Sequence, residues 1–360
     1  MEQTTDKQRP WSSGVYRLHS CHLDCCASKL ANGRISRLWP TSTLVFLLLV
    51  LFTAKSLSAE ASGPQIMLVK SGAANIYQQL VQSFEQEIKE SCLKKPVAAC
   101  RTMVLNITDI LDSGLDEKLH GFDRGDLVVT IGKKAAEWLH DKRISHKHKA
   151  KALYTLIPKS TFKQLSTSDR KSSAIFLDQP FERLVRFSKL ITPGDPYIGA
   201  LLGPSTKQYT NELAKTASRQ NVPLILETVE SSEQTGGKLR KLLSKSNVLL
   251  ALPDPEIYNR KSVVGILLSS YHSQVTVIGF SSGYVKAGAL AAVYSTPGDI
   301  GRQISDTVKV FLDTTSRKLK QPAHPVYFRI SVNENVSKSM GISLPSAESL
   351  ESQLLKGEER

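Results

Sequence analysis

Short uninterrupted apolar runs recur between residues 64 and 332, each closed by a Gly, Pro or Ser turn. They lie at 66–69, 102–107, 126–132, 152–157, 173–177, 197–202, 224–226, 248–252 and 275–278. Between them apolar residues recur at helical spacing, as in Ile76, Leu80, Val81, Phe84 and Ile88. Phe181, Leu184 and Val185, then Tyr209, Leu213 and Ala217, then Leu239, Leu242 and Leu243 repeat the pattern. Further helices are expected over 109–119, 133–140, 256–271 and 299–312. Strands without alternation are those buried on both faces, so the class is α/β with parallel sheets. Residues 326–332 alternate and predict one more strand. Residues 288–293 follow the last Gly-rich turn without a clear type, and 341–360 are polar and predict a short helix or a frayed end.

Two arrays of similar size predict two Rossmann-like lobes joined by a hinge. The expected limits are a leader over 1–61, lobe one over 64–192 and lobe two over 193–322. Residues 323–360 are expected to return a strand to lobe one and end in a tail.

Residues 41–52 form an uncharged apolar block, with Arg34 and Arg37 before it and Ser58, Ala59, Ala61 and Ser62 after it. That is the layout of a signal peptide, and about twelve residues is short for a membrane span. It predicts export, with cleavage after Ala59 or Ala61; a retained single anchor is the competing outcome. Cys21, Cys25, Cys26, His19 and His22 precede the block at spacings that match no zinc pattern. After the leader only Cys92 and Cys100 remain, and an even count in an exported chain predicts one disulfide between them.

The formal net charge is +14, of which the first 59 residues carry seven Lys/Arg against three Asp/Glu. The basic residues are spread over helix-like segments without interleaved aromatics, which argues for solvated faces rather than nucleic acid. No phosphate-binding Gly-Lys loop, zinc-protease motif or paired metal-ligand spacing occurs. No cofactor or metal is expected.

Several stretches resemble the ABC-transporter substrate-binding family of tryptophan/tyrosine-type solute receptors. They are Asp126-Leu127-Val128-Val129-Thr130-Ile131-Gly132, Leu177-Asp178-Gln179-Pro180-Phe181, Leu252-Pro253-Asp254-Pro255 and Ser282-Gly283-Tyr284-Val285-Lys286-Ala287-Gly288. The likeness covers residues 64–333 and is most specific in the second lobe. It departs from the family pattern at Ser71-Gly72-Ala73-Ala74. The resemblance implies a type I periplasmic-binding fold whose lobes close over a small, amino-acid-like ligand. It also implies delivery to a membrane permease or sensor by a periplasmic monomer, and no enzyme activity. An envelope sensory or interaction protein of the same fold is the alternative.

Ligands of such sheets sit beyond the carboxyl ends of the strands. The expected ligand-binding residues are therefore Ser71, Gly72, Thr130, Gly132 and Thr155 from lobe one, and Ser205, Thr206, Asp254, Ser281 and Tyr284 from lobe two. Asp254 accepts a bond from a ligand amine or else caps the helix that Pro255 begins. Tyr284 stacks on a ligand ring or packs in its own turn. Gly279-Phe280-Ser281-Ser282-Gly283 also matches a nucleophile elbow, which would need His324 and one of Asp299, Asp306 or Asp313 as partners.

Overall fold

The apolar runs form two sheets. The computed structural model describes residues 64–94, 101–113, 126–146, 150–165, 171–313 and 317–358, all within the compact unit Ala61–Arg360. The leader, Cys100 and the Cys92 side chain lie outside the described residues, and so do the expected export signal and disulfide. No described helix is long and apolar enough to cross a membrane.

The first array runs β1 (Gln65–Lys70), α1 (Asn75–Lys94), β2 (Arg101–Asn106), α2 (Ile107–Ser113), β3 (Leu127–Ile131), α3 (Lys133–His146), β4 (Lys151–Ile157), α4 (Lys159–Leu165) and β5 (Ser172–Phe176). Its sheet has the order β2-β1-β3-β4-β5, and every pairing is parallel. The chain continues through α5 (Phe181–Ile191), β6 (Ile198–Leu202), α6 (Thr210–Arg219), β7 (Leu224–Thr228), α7 (Thr235–Leu243), β8 (Val248–Leu250), α8 (Val263–His272), β9 (Thr276–Gly279), α9 (Ser282–Ala287) and β10 (Ala291–Tyr294). It ends with α10 (Pro297–Asp313), β11 (Arg329–Val332), α11 (Glu334–Ser339) and α12 (Ala347–Glu358). The second sheet has the order β11-β10-β9-β8-β6-β7 and is parallel except for β11. All five residues of β3, and all five of β6, are buried. The two-faced burial inferred from their unbroken apolar runs is therefore present.

The lobes exchange segments, which corrects the expected limits. Phe181, Leu184, Val185 and Phe187 of α5 pack with Ile198, Leu250 and Leu354 in the second core, although residues 181–191 were assigned to lobe one. Conversely Ile300, Ile304, Val308 and Phe311 of α10 pack with Leu80 and Phe84 in the first core, although 193–322 was assigned to lobe two. β11 does not return to lobe one: it pairs antiparallel with β10. What touches the first sheet is Ala323, bridged to Ile175. The chain therefore crosses between the sheets after β5, after β10 and before β11. Local pattern gives each helix an apolar stripe but not the sheet that covers it.

The expected helix over 256–271 is shorter than anticipated. Ile257 and Tyr258 are buried in a turn stabilised by Asn259, whose side chain accepts from Lys261 N at 3.0 Å. Only 263–272 is helical. The polar end of the chain is α12, anchored by Leu350 and Leu354, both fully buried.

α10 lies against α1 with backbone in contact. A Cβ built on Gly301 would stand 2.4 Å from the Leu80 carbonyl oxygen and 3.1 Å from Phe84 N. Neither atom can rotate away, so the methyl must push the helices apart. Gly301→Ala is expected to lower stability by about 1–3 kcal/mol, the usual range for overpacking. Urea unfolding checks this, and an unchanged midpoint would refute the close approach.

Candidate ligand cleft

In each sheet the strand order reverses beside the first strand of the array, at β1/β3 and at β6/β8. Crevices form beyond the strand ends at such points. On the second sheet this crevice is a cleft of about 280 Å³. The end of β8 supplies Leu252 and Pro253, the end of β9 supplies Phe280 and Ser281, and the end of β10 supplies Tyr294 and Ser295. The first crossing adds Leu177, Asp178 and Gln179, and α1 of the first lobe adds Ile76. Ile76 and Leu177 are 45% and 41% exposed, so the cleft has apolar side chains open to it from the first-lobe side.

Local hydrogen bonds hold this rim. Asp254, 1% exposed, takes the N–H groups of Ser205 and Thr206 on Oδ2 at 3.0 and 3.1 Å. It also takes the Thr206 hydroxyl at 2.9 Å and, on Oδ1, the N–H of Glu256 at 3.1 Å. Thr206 Oγ1 accepts in turn from Gly203 N at 3.0 Å. The aspartate thus ties the β6 turn to the β8 turn. Ser281 caps α9, its Oγ accepting from Tyr284 N at 3.4 Å. Tyr284 is buried in its own turn, with Phe280 at 4.6 Å and Tyr258 at 6.1 Å between ring centroids. Burial pushes the Tyr258 and Tyr284 phenols up, and neither hydroxyl has a hydrogen-bond partner among the described residues.

Of the residues expected to bind ligand, Thr206 and Ser281 line the cleft. The others do not. Asp254 and Ser205 are the structural knot just described, and Tyr284 packs against Phe280 and Tyr258. In the first lobe Thr130 and Thr155 are fully buried. Thr155 Oγ1 donates to the Thr130 carbonyl at 2.7 Å, and Thr130 Oγ1 has no partner among the described residues. Ser71 Oγ accepts from Ala135 N at 3.0 Å and so holds the start of α3. Gly132, at φ +90°, makes the turn that lets Ser71 approach. Gly72 is half-buried with open space around it. Thr130 and Thr155 both lie inside their strands, which end at Ile131 and Ile157, rather than in the turns beyond them.

The crossing residues were missed as site residues, although Leu177-Asp178-Gln179-Pro180-Phe181 carried the resemblance. Their signal is a polar pair wedged between an apolar strand and an apolar helical stripe. Gln179 is held at both ends: Oε1 accepts from Arg183 Nη1 at 2.6 Å and Nε2 donates to Ser295 Oγ at 2.9 Å. Ser295 Oγ then donates to the Tyr327 carbonyl at 2.7 Å. Asp178 Oδ2 accepts from Lys159 N at 2.6 Å, and the Asp178 carbonyl meets His324 Nδ1 at 2.9 Å. Between the lobes, Lys159 pairs with Glu212 at 2.7 Å, and Ser160 N donates to the Tyr209 hydroxyl at 2.9 Å. Burial, helped by the Asp178 charge, pushes the Tyr209 phenol up to about 12.

Burial also raises the Asp178 carboxyl, against the lowering effects of the Lys159 N–H and the His324 and Lys159 charges. A raised folded value means stability that is complete below the unfolded carboxyl range, about 3.9, and lost as pH rises through the folded value. Asp178→Asn keeps a carbonyl for Lys159 N but does not titrate. The stability of the native chain relative to this variant is therefore expected to fall between about pH 4 and neutrality. Melting temperatures of both proteins over that range check it; a relative stability that rises with pH would contradict it.

The nucleophile-elbow reading fails on geometry. Such an elbow strains its serine at a sharp strand-to-helix turn. Ser281 instead has extended backbone, φ −160° and ψ 159°, and its hydroxyl serves as a helix cap. His324 is engaged with the Asp178 carbonyl and lies against Phe176 at 5.1 Å between ring centroids.

No protein-family model matches the sequence, and no curated protein does. Solved structures do match. A ligand-free, open substrate-binding protein with adhesive properties from Clostridium difficile aligns with TM-score 0.61 and 16% identity over 79% of this chain and 97% of that one. An ABC domain in complex with L-Trp from Streptococcus pneumonia aligns with TM-score 0.53 and 17% identity, over 82% and 98% of the two chains. A periplasmic ribose ABC transporter protein from Conexibacter woesei gives TM-score 0.50 and 10% identity, over 81% and 98%. The fold is that of the ABC-transporter substrate-binding proteins, two mainly parallel sheets flanked by helices. At these identities the likeness concerns the fold.

Proposed function

We propose that this protein captures a small molecule in the cleft between its two sheets, outside the cytoplasm, and delivers it to an ABC-type permease. The observation that carries the reading is the cleft itself. It lies beyond the strand ends at a topological switch point, and its walls come from the second lobe, the first crossing and α1 of the first lobe. Such a site is complete only when both lobes face the ligand, so binding favours the closed arrangement. The apolar block at 41–52 supports export, and the neighbouring structures support capture of small molecules.

A ligand that binds only the folded state raises stability by mass action. A melting-temperature screen of amino acids, amines, sugars, purines and organic acids is expected to give a concentration-dependent rise. Mass spectrometry of the purified protein should show the same compound carried through. A flat screen with nothing co-purified would leave a sensory or interaction role without a small ligand as the better account.

A further inference from the structure

We infer that the ligand of this cleft has an apolar body and an amine, and carries no carboxylate. The inference rests on the capture reading above and specifies its ligand class.

Ile76, Leu177, Phe181, Leu252, Phe280 and Val293 present hydrocarbon to the cleft. A ligand that fills it must bring matching apolar surface, because a polar body would lose its hydration without replacement. Polar side chains also line the cleft. Most are already engaged: Gln179 by Arg183 and Ser295, Ser295 by Tyr327, and Thr206 by Asp254 and Gly203. The Ser281 and Tyr209 hydroxyls, which accept from Tyr284 N and Ser160 N, keep their own protons, and two hydroxyl donors are fewer than the ring a sugar needs.

Among the described residues no Lys, Arg or His lines the cleft. The ammonium of Lys159, whose backbone N–H binds Asp178, is turned to Glu212 at 2.7 Å. A ligand carboxylate would enter an apolar space without a counter-charge, which is strongly disfavoured. Asp178 does line the cleft, and it has the opposite problem. Its carboxylate accepts the Lys159 N–H, and no ion pair reaches it among the described residues. The His324 ring meets the Asp178 carbonyl instead of the carboxylate. A ligand ammonium supplies the missing partner as a charge-assisted donor.

Four compounds with one phenyl body separate the possibilities: 2-phenylethylamine, 2-phenylethanol, L-phenylalanine and 3-phenylpropionate. Titration calorimetry on the purified full chain is expected to place the amine about tenfold or more tighter than the alcohol, with the propionate weakest. In Asp178→Asn the ratio of amine to alcohol affinity is expected to fall to near one. Tighter binding of phenylalanine or the propionate than of the amine would overturn the inference, as would an amine preference that survives in the variant. If none of the four binds but the general screen yields a ligand without an amine, the class is wrong and capture stands. If neither yields a ligand, capture falls with it.

Discussion

Asp254→Ala is expected to cost about 3–5 kcal/mol, well beyond the roughly 1 kcal/mol of a simple helix cap. The side chain is 1% exposed. Its oxygens receive the N–H groups of Ser205, Thr206 and Glu256 and the hydroxyl of Thr206, all between 2.9 and 3.1 Å. Bonds to an ionised acceptor are worth about 1.5–3 kcal/mol each, and donors left unmatched near the core add a penalty. The substitution also frees the β6 and β8 turns from each other. Because Leu252 and Pro253 of the β8 turn line the cleft, ligand affinity should fall with stability. Gly203 gives an internal control. A Cβ there would lie 2.7 Å from Asp254 Cγ and from both carboxylate oxygens. Gly203→Ala should therefore be costly alone and nearly free in the Asp254→Ala background, a strong departure from additivity. Urea midpoints of the two single variants and the double variant test this. A loss near 1 kcal/mol for Asp254→Ala, with additive behaviour, would make the residue only a cap.

Asp254 also shows how far the sequence could be read. The Pro-Asp-Pro turn after an apolar strand was visible, and so was its place at a sheet rim. Its tie to the β6 turn was not, because Ser205 and Thr206 lie about fifty residues away, a separation no periodicity encodes. The strands were legible where apolar residues run together between turn residues. β10 was not, because Ala291 and Ala292 give little β signal directly after a Gly-rich turn. α4 escaped because its buried residues are only Ser160 and Phe162 in a polar stretch. The rim of the second sheet was found through the strand-end rule, at Thr206 and Ser281. The crossing was not found as a site. Its importance depends on α5 and α10 each packing against the opposite lobe, and an apolar stripe alone does not name its partner.

That exchange puts the second large effect at Arg183, the buried cation beside the first crossing. It is 3% exposed, and its guanidinium forks onto Glu358 with Nε–Oε1 2.5 Å and Nη2–Oε2 2.6 Å. Nη1 serves Gln179 Oε1 at 2.6 Å and the Pro325 carbonyl at 2.9 Å, and the group lies 3.9 Å from the Phe328 ring centroid. One side chain thus joins the crossing before α5, the crossing before β11 and the end of α12. Through Gln179 and Ser295 it reaches the crossing after β10 as well. Breaking a buried ion pair by removing one partner costs about 3–5 kcal/mol. Glu358 is 29% exposed and can turn to water, so Arg183→Leu should fall near the lower end. The Gln179 and Pro325 oxygens have no such exit. Arg183→Lys should recover less than half of the loss, since a point ammonium cannot replace a planar fork serving several acceptors. The stability loss follows from urea unfolding. The hinge role has its own readout: with Gln179 no longer held, the ligand-induced rise in melting temperature should shrink in both variants, relative to Glu358→Gln, where Arg183 can still hold Gln179. Equal ligand shifts in all three would reduce Arg183 to an anchor for α12, with no part in setting the cleft wall.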